Sequence, residues 1–297
     1  MIDALKTLTD EKNIMVCEPM SKHTTFRIGG EADIFLSPST LEELESIISM
    51  LKKESFPFIV IGNGSNLLVS DSGIEGAVIC TENLTGIKTS GNTIFAECGI
   101  KLSALASEAT KLSLSGLEFA AGIPGTLGGA VFMNAGAYDG EMKNIIKSVK
   151  VLQNGTIVDI PAEMCGFGYR HSIFQQTEEV ILGAEIELIP GAKDDITAKI
   201  HDLAARRKLK QPLEFPSAGS TFKRPEGYFA GKLIEDSGLR GFQLGGAQVS
   251  EKHCGFIINK GGATAADVQN LIKHIKTSVF VRFGVKLQSE IRFIGRR

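Results

Sequence analysis

Apolar residues recur every three or four positions in several stretches of the chain, a spacing that places them on one face of a helix. The helices predicted in this way cover residues 41–51, 102–112, 196–210, 229–236 and 265–280. Ser39 and Glu42 form a capping-box pattern at the start of the first helix, which satisfies main-chain N–H groups there. The helix that reaches residue 210 ends in a basic run, Arg206-Arg207-Lys208-Leu209-Lys210. Each of these amphipathic helices needs a core to pack against.

Strands are predicted where apolar and polar residues alternate or where a short apolar run occurs. They cover residues 58–61, 93–98, 148–152, 156–160, 180–188 and 285–293. Asn154-Gly155 lies between two of them and is a strong hairpin signal. In the closing strand, one face would carry Val285, Leu287, Ile291 and Phe293, and the other Lys286, Gln288, Glu290 and Arg292. Because strands and helices do not alternate strictly, the pattern indicates an α+β fold.

The length of the chain, 297 residues, is enough for about two domains with separate cores. We expect an N-terminal extension over residues 1–20 and a first domain of two α+β lobes over residues 21–195. A second, smaller domain is expected over residues 200–297. No internal repeat or low-complexity segment interrupts this division.

Composition and charge exclude several classes of protein. A net charge of −2 argues against a nucleic-acid-binding surface, and no run approaches the roughly 20 apolar residues of a membrane span. The N-terminal residues lack the apolar core of a signal peptide, so we expect a soluble, cytoplasmic protein. The five cysteines are scattered, which predicts buried free thiols and neither a disulfide framework nor a metal site.

Two glycine-rich loops carry the candidate chemistry. Gly62–Leu68 reads GNGSNLL, and Gly122–Tyr138 reads GIPGTLGGAVFMNAGAY. Without Cβ atoms, successive main-chain N–H groups can converge on phosphate oxygens, whereas the simpler alternative is a pair of tight turns. Two such loops favour a dinucleotide. The Rossmann fingerprint is broken because Leu67 stands where its third glycine would be, and no P-loop motif is present.

These loops and several later motifs resemble the UDP-N-acetylenolpyruvoylglucosamine reductase family. The later motifs are YRHS from Tyr169, PSAGSTFK from Pro216, AGKLIEDSGL from Ala230, GGAQVS from Gly245, FIIN from Phe256 and the ending FGV to Glu290. The matches run in order from about Thr24 to Arg292, nearly the whole chain. The resemblance implies an FAD-binding region of the vanillyl-alcohol-oxidase type over residues 21–195. A smaller α+β substrate-binding domain would follow it.

The family resemblance also implies the reaction and its cofactors. Members use NADPH to reduce UDP-N-acetylglucosamine enolpyruvate to UDP-N-acetylmuramate through FAD. This step of bacterial peptidoglycan synthesis serves cell shape and division. None of the five histidines lies inside either glycine loop, so we expect FAD to be bound non-covalently. The expected FAD contacts are Gly62, Asn63, Gly64, Ser65, Asn66, Leu67, Gly122, Pro124, Gly125, Thr126, Gly128, Gly129, Ala130, Asn134 and Gly136.

Three residues match the family's catalytic positions. Ser220 matches the proton donor to the enol carbon, while Arg170 and Glu290 match the residues that flank the enolpyruvyl carboxylate. Arginine is always charged and can bind a carboxylate through two hydrogen bonds. Taken alone, each residue has a plainer interpretation: a turn hydroxyl, a surface arginine and a solvated carboxylate. The substrate contacts expected from the resemblance and from local positive charge are Tyr169, Lys210, Lys223 and Arg224.

The chain departs from some family members at two places. Only seven residues separate Ser172 from Val180, so the inserted segment whose tyrosine closes over the substrate is missing. We therefore expect the shorter subclass. Arg224 also stands where members of the longer subclass have asparagine. Two alternatives stay open: another FAD-dependent oxidase of the same fold, and a non-catalytic nucleotide-binding module. No obligate protein partner is expected.

Overall fold

The structure, a computed structural model, describes residues 1–296. Its α-helices are α1 (Ile2–Leu5), α2 (Leu41–Lys53), α3 (Leu102–Lys111), α4 (Leu127–Met133), α5 (Lys193–Lys210), α6 (Ala230–Asp236) and α7 (Ala265–Phe283). The strands of the first half are β1 (Ile14–Pro19), β2 (Glu31–Leu36), β3 (Phe58–Ile61), β4 (Leu67–Val69), β5 (Ile74–Cys80), β6 (Ile87–Ser90), β7 (Thr93–Glu97), β8 (Leu114–Ser115), β9 (Gly136–Ala137) and β10 (Gly140–Glu141). They continue with β11 (Ile146–Gln153), β12 (Thr156–Pro161), β13 (Val180–Glu187), β14 (Ile189–Pro190), β15 (Ser217–Ser220), β16 (Gln243–Leu244), β17 (Ala247–Val249), β18 (Phe256–Asn259) and β19 (Arg292–Ile294).

The chain folds into two compact units, each built from segments that are distant in sequence. The first unit contains Met1–Val16, Ile34–Asn63 and Gly76–Arg206. The second contains Cys17–Asp33, Gly64–Glu75 and the chain from Arg207 onward. Each unit has its own cluster of buried apolar side chains. The predicted α+β character is present, since both units mix helices and strands.

The strands of the first unit come from two sheets, although residues 17–19 of β1, 31–33 of β2 and 74–75 of β5 are counted with the second unit. One has the strand order β1-β2-β5-β3, and β3 runs parallel to β5. The other is a five-stranded sheet with the order β12-β11-β13-β7-β6, whose neighbouring strands are antiparallel. Asn154 and Gly155 connect β11 to β12 with φ angles of 50° and 76°. Left-handed φ at both turn positions defines a type I′ hairpin, so the turn predicted from the sequence is confirmed.

Helix α2 shows how the apolar pattern produces the first core. Its buried residues are Leu44, Ile47, Ile48 and Leu51, the face expected from their spacing. The predicted cap was wrong by one residue: Thr40, not Ser39, is the N-cap, and its hydroxyl accepts the N–H of Glu43 at 3.1 Å. The Glu43 carboxylate in turn accepts the N–H of Ser39 at 2.9 Å. Both hydroxyl residues are good caps, so sequence alone does not choose between them.

The second unit has a four-stranded antiparallel sheet with the order β15-β18-β17-β16, against which α7 packs. Thr264 and Asp267 form a capping box at the start of α7, and Gly284 ends it with φ 70°. Asp71 also binds this helix start, because its two carboxylate oxygens accept the N–H groups of Ala265 at 2.7 Å and Ala266 at 3.0 Å. An early segment of the chain is thereby fixed to the last helix.

The predicted closing strand over residues 285–293 was wrong in extent. Only β19 (Arg292–Ile294) is a strand, and it pairs in parallel with β4. Before it, Ser289 forms a single bridge with Phe222. Phe293 is 45% exposed, whereas Leu287 and Ile291 are buried, so the three do not share one buried face. The segment pairs first with Phe222 and then with β4, so it does not form the one continuous strand that the alternation of apolar and polar residues predicted.

Candidate active site

The two glycine loops meet in the first unit. The side-chain Nδ2 of Asn63 donates to the main-chain oxygen of Pro124 at 2.7 Å. Gly62 lies directly against the hydroxyl of Thr126, with which any side chain at position 62 would collide. The close approach of main chain to hydroxyl explains why glycine occupies this position. Two loops separated by about sixty residues thus form one surface.

The second loop is anchored on the segment before α3. The N–H of Leu102 donates to the oxygen of Gly125 at 3.0 Å, and the N–H of Gly128 donates to the oxygen of Cys98 at 2.8 Å. A Cβ at Gly128 would lie 2.9 Å from the Cβ of Cys98, whereas one at Gly129 would meet only the Thr126 hydroxyl at 3.7 Å. Gly128 is therefore required by packing within the protein, and Gly129 leaves space beside the loop.

Thr126 supplies the observation that tests whether FAD fits this surface. The residue is 1% exposed, and its hydroxyl has no hydrogen-bond partner among the described residues. Buried polar groups are nearly always hydrogen-bonded, so an orphan hydroxyl beside the space left by Gly129 is consistent with a ligand or water that supplies the missing partner. The phosphate and ribityl oxygens of FAD are suitable partners. The residues present fit the cofactor.

Asn134 and Gly136 follow α4 and shape the same loop. Asn134 is fully buried at φ 42°, and its Nδ2 donates to Glu141 at 2.8 Å and to the oxygen of Gly168 at 2.9 Å. Its Oδ1 accepts the N–H of Lys143 at 2.9 Å. The Asn134 side chain thus makes these hydrogen bonds to other residues of the protein. Ala130, also predicted to contact FAD, is buried within α4.

Arg170 lies on a tight turn of the first unit. Gly168 and His171 close the turn with two main-chain hydrogen bonds, at 3.0 and 3.1 Å. Arg170 has φ 53°, a conformation that costs a residue with a Cβ about 1–3 kcal/mol and that clusters at functional sites. Its guanidinium donates to the oxygen of Gly136 at 2.9 Å, and the exposed ring of Tyr169 lies 5.2 Å away. The fold fixes this arginine beside the second glycine loop.

Ser220 and Glu290 lie in the second unit and share one neighbour, Thr221. The N–H of Glu290 donates to the oxygen of Thr221 at 2.8 Å, and the N–H of Thr221 donates to the oxygen of Gly255 at 2.8 Å. Ser220 is exposed at the end of β15, whereas Thr221 is 1% exposed. A buried threonine therefore joins two of the predicted catalytic residues through main-chain bonds.

The first glycine loop divides between the units, because Gly64–Leu67 belong to the second. Gly64 has φ 57°, and a Cβ there would collide with the main-chain oxygen of His23. Ser65 follows, and Leu67 begins β4. The side chain of Asn66 donates to the main-chain oxygen of Glu290 at 3.2 Å, and the N–H of Arg292 donates to the oxygen of Asn66 at 2.9 Å.

A surface pocket of about 310 Å³ in the second unit contains two predicted substrate residues. Its lining includes Lys223, Arg224, Glu226, Tyr228, Lys286 and Gln288. Three lysine or arginine side chains against one carboxylate suit an anionic ligand. Arg224 also lies over the ring of Phe229, 4.0 Å from its centre. Lys210 ends α5 and is not part of this lining.

Sequence reasoning did not select Lys286, Gln288 or Thr221. Lys286 and Gln288 share the predicted polar face with Glu290, so the pattern contained a signal for them. The buried, hydrogen-bonding role of Thr221 had no such signal. It depends on Gly255 and Glu290, which lie 34 and 69 positions further along the chain.

The cysteine thiols are not among the predicted site residues. Four of the five are buried and all are free, as predicted, while Cys17 is exposed. Burial raises the pKa of Cys98 to about 12 and that of Cys80 to about 11. Within residues 1–296, no group of three or more His, Cys, Asp or Glu side chains is arranged to hold a metal ion. None of the helices in this range combines the length and apolar character needed to span a bilayer.

Comparison with known proteins identifies the class of this fold and site. Residues 32–161 match the model of an FAD binding domain, and residues 211–294 match that of the UDP-N-acetylenolpyruvoylglucosamine reductase C-terminal domain. A solved alkyldihydroxyacetonephosphate synthase covers 64% of this chain and 40% of its own, with a TM-score of 0.51 at 16% identity. This likeness concerns the fold alone. The fold class is that of a flavoprotein with an FAD-binding domain and a separate C-terminal domain, as predicted.

Full-length relatives narrow the class to one family. The UDP-N-acetylenolpyruvoylglucosamine reductase of Clostridioides difficile is 50% identical over 98% of this chain and 96% of its own. That of Caldanaerobacter subterraneus is 49% identical over 100% and 99%. The crystal structure of the Thermus caldophilus reductase has a TM-score of 0.81 at 33% identity, covering 94% of this chain and 97% of that one. The chain belongs to the UDP-N-acetylenolpyruvoylglucosamine reductase family, so the resemblance drawn from the sequence is confirmed.

Proposed function

We propose that this protein is an FAD-dependent oxidoreductase that uses NADPH to reduce UDP-N-acetylglucosamine enolpyruvate to UDP-N-acetylmuramate. The main support within the molecule is the position of Thr221, which follows Ser220 in the chain and whose main-chain oxygen accepts the N–H of Glu290 at 2.8 Å. This link ties together the main chains of the serine proposed as proton donor and the acid proposed to polarise the substrate, the two roles that the reaction needs. Family membership supplies the substrate.

The proposal assigns FAD to the glycine loops and the anionic substrate to the second unit. Gly62, Asn63, Gly125, Thr126 and Gly129 would lie against the cofactor, together with the remaining predicted loop residues. Asn134 would shape this surface through its hydrogen bonds with the protein. FAD, when bound, supplies hydride chemistry that no side chain provides, and NADPH renews it. We propose residues 21–195 and 200–297 as the functional division, with residues 1–20 as an extension. The compact units differ from this division, because residues 17–33 and 64–75 belong to the second unit and residues 1–16 to the first.

Each proposed catalytic residue has a defined task. Ser220 would place its exposed hydroxyl next to the enol carbon and give it a proton. Arg170 would hold the enolpyruvyl carboxylate, because its guanidinium is permanently charged and its backbone is fixed. Glu290 would act on the same carboxylate from a main chain tied to Thr221 and Asn66. The negative charge that develops on this carboxylate during the reduction would be opposed by the Arg170 guanidinium, and Glu290 would add to this only as a protonated acid that donates a hydrogen bond.

The pocket beside Lys223 and Arg224 would receive the nucleotide part of the substrate. Its positive side chains offset the charge of a diphosphate, and the ring of Tyr228 offers a flat apolar surface. Tyr169 and Lys210 stay in the proposal as outer contacts. Free, mostly buried thiols fit the reducing cytoplasm in which we propose that the protein works.

One experiment tests the proposed function as a whole. The purified protein, loaded with FAD, is reduced by NADPH without oxygen and then mixed with UDP-N-acetylglucosamine enolpyruvate. We expect bleaching by NADPH, return of the yellow colour on addition of the sugar nucleotide, and UDP-N-acetylmuramate as the product. Acid precipitation should release all flavin into the supernatant. A reduced protein that oxygen reoxidises but the sugar nucleotide does not would instead support an oxidase.

A further inference from the structure

His253 is held in a tight turn between β17 and β18 of the second unit. The hydroxyl of Ser250 accepts the N–H groups of Lys252 at 3.1 Å and His253 at 3.2 Å. The imidazole Nδ1 of His253 then accepts the N–H of Gly255 at 3.0 Å. The ring meets Phe256 edge to face, with 5.0 Å between the ring centres. The imidazole is thus a structural part of the turn that leads into β18.

Two glycines form the slot around the imidazole. A Cβ at Gly255 would lie 2.8 Å from the His253 Cε1 atom, and one at Gly231 would lie 3.4 Å from it. The first of these distances is too short for a real contact. The planar imidazole packs here because Gly255 and Gly231 both lack side chains, so the space between them has the shape of the ring.

Gly255, whose N–H bonds to the His253 ring, is also bonded to the residue that follows β15. Gly255 accepts the N–H of Thr221 at 2.8 Å, and the N–H of Ile257 donates to the Thr221 hydroxyl at 3.1 Å. The pairing of β15 with β18 is irregular between Ser217 and Ser220. A bulge interrupts regular pairing and redirects the side chains beside it. The position of Ser220 therefore depends on the main-chain pairing after the bulge, where Ser220 pairs with Phe256.

We propose that His253 is a positioning residue, which fixes the main chain of Ser220 and Glu290 through Gly255 and Thr221. Thr221 is the common link, because it bonds to Gly255 on one side and to Glu290 on the other. This inference rests on the proposed function, since it concerns the two residues assigned to the reduction of the enolpyruvyl group. In this proposal His253 acts through Gly255 and Thr221 and not on the reacting atoms.

The role requires a neutral imidazole. Nδ1 can accept the Gly255 N–H only when the ring proton is on Nε2, and protonation of Nδ1 breaks that bond. Burial lowers the pKa of His253 from its ordinary value, and the nearby charges of Arg240 and Lys210 lower it further. The folded protein thus favours the neutral ring. Stabilisation from this bond is complete above the ordinary histidine pKa and is lost as pH falls through the lowered one.

Two substitutions separate the hydrogen bond from the packing of the ring. His253→Asn keeps an acceptor oxygen on Cγ, where Nδ1 is attached, and cannot titrate. His253→Phe keeps a flat ring against Phe256 but has no acceptor. His274→Asn is the matched control, because His274 lies in the same unit and stacks on Phe242 at 4.6 Å.

The test measures both half-reactions of the FAD-loaded protein between pH 5 and 8. Reoxidation by the enolpyruvyl substrate should fall about tenfold in His253→Phe, the effect of one lost hydrogen bond. Reduction by NADPH should not change. His253→Asn should keep most of the wild-type reoxidation rate, and this rate should no longer fall at acid pH. His274→Asn should keep both the wild-type rate and its fall at acid pH. Equal slowing of both half-reactions, or identical behaviour of the Phe and Asn variants, would overturn the positioning role.

A second measurement reads the hydrogen bond directly and needs no activity. Nitrogen NMR of the wild type should show His253 with a bare Nδ1 and a protonated Nε2 at pH 7. The Gly255 amide should exchange more slowly in the wild type and His253→Asn than in His253→Phe. A proton on Nδ1 at pH 7 would overturn the inference. A wild type that cannot reduce the enolpyruvyl substrate would overturn the proposed function, whereas an active wild type matched by His253→Phe would overturn this inference alone.

Discussion

Asn66 donates a hydrogen bond from its side-chain Nδ2 to the main-chain oxygen of Glu290 at 3.2 Å, across 224 positions of the chain. The bond lies within the second unit and is reinforced by Arg292, whose N–H donates to the oxygen of Asn66 at 2.9 Å. Asn66 was expected to contact FAD, since it belongs to the first glycine loop. Its position ties this loop directly to the main chain of Glu290, the residue that carries the proposed catalytic carboxylate.

The Asn66→Ala variant should therefore lower turnover of the enolpyruvyl substrate. Loss of one hydrogen bond of about 0.5–1.5 kcal/mol loosens the main chain of Glu290, so we expect roughly a 2–10-fold fall in kcat of the FAD-loaded protein. The contrasting variant is Asn63→Ala, which removes the bond to Pro124 between the glycine loops. That change should weaken FAD binding and leave kcat of the loaded protein near wild type. If both variants affect only FAD content, Asn66 serves the cofactor alone.

Gly128 and Gly129 are neighbours in the chain, but only Gly128 packs closely against another residue of the protein. Substituting each in turn therefore gives a matched pair of variants. Gly129→Val should give a folded protein with little FAD, because the side chain points into open space beside Thr126. Gly128→Val should instead destabilise the fold, since its Cβ would lie 2.9 Å from that of Cys98. Flavin absorbance per protein and thermal unfolding of the apoprotein distinguish the two effects. Full FAD occupancy in Gly129→Val would show that this glycine does not face the cofactor.

Arg170→Ala should lower kcat more than it raises KM. The arginine is proposed to oppose charge that develops during the reaction, and loss of one such group typically costs about 10²–10³ in rate. Arg170→Lys keeps the charge without the planar pair of donors, so an intermediate rate is expected. Steady-state kinetics over a range of substrate concentrations give both constants. A change confined to KM would make Arg170 a binding residue only.

Thiol reactivity should follow burial. Cys17 is exposed, whereas burial raises the pKa of Cys98 to about 12 and that of Cys165 to about 11. Only a thiolate reacts, so at pH 8 one thiol per chain should react rapidly with a colorimetric thiol reagent. All five should react after denaturation. The Cys17→Ser variant should show almost no rapid reaction in the native state. Rapid labelling of several thiols in that variant would contradict the burial seen here.

Helices and turns could be predicted from the sequence where interactions between residues close in sequence determine them. The apolar face of α2 follows from helical spacing, and Asn154-Gly155 favours a hairpin because both residues tolerate left-handed φ. The choice of Thr40 over Ser39 as cap could not be predicted, since both hydroxyls suit the position. The family motifs indicated which loops and which polar residues carry the proposed chemistry.

The arrangement of the second unit could not be predicted from local pattern. Thr25 bonds to Ser217 across 192 positions, Asn259 to Phe26 across 233, and Asp71 to the start of α7 across 194. Such contacts leave no periodicity in the sequence. The closing strand was wrong for the same reason. The N–H of Lys223 donates to the oxygen of Gln288, and that of Glu290 to Thr221, before β19 pairs with β4. The structure of this segment is therefore determined by partners that are distant in sequence and not by the alternation of apolar and polar residues.

Ser220→Ala tests the central claim most directly, because the two half-reactions place different demands on the hydroxyl. Reduction by NADPH needs no proton on the substrate carbon, so flavin content and bleaching rate should stay near wild type. Reoxidation by the enolpyruvyl substrate does need it, and a positioned proton donor contributes about 10²–10⁴-fold, or roughly 2.7–5.4 kcal/mol. Stopped-flow absorbance of the flavin measures both rates. The account predicts that only reoxidation slows, by at least about 100-fold; equal slowing of both steps, or no slowing, would contradict it.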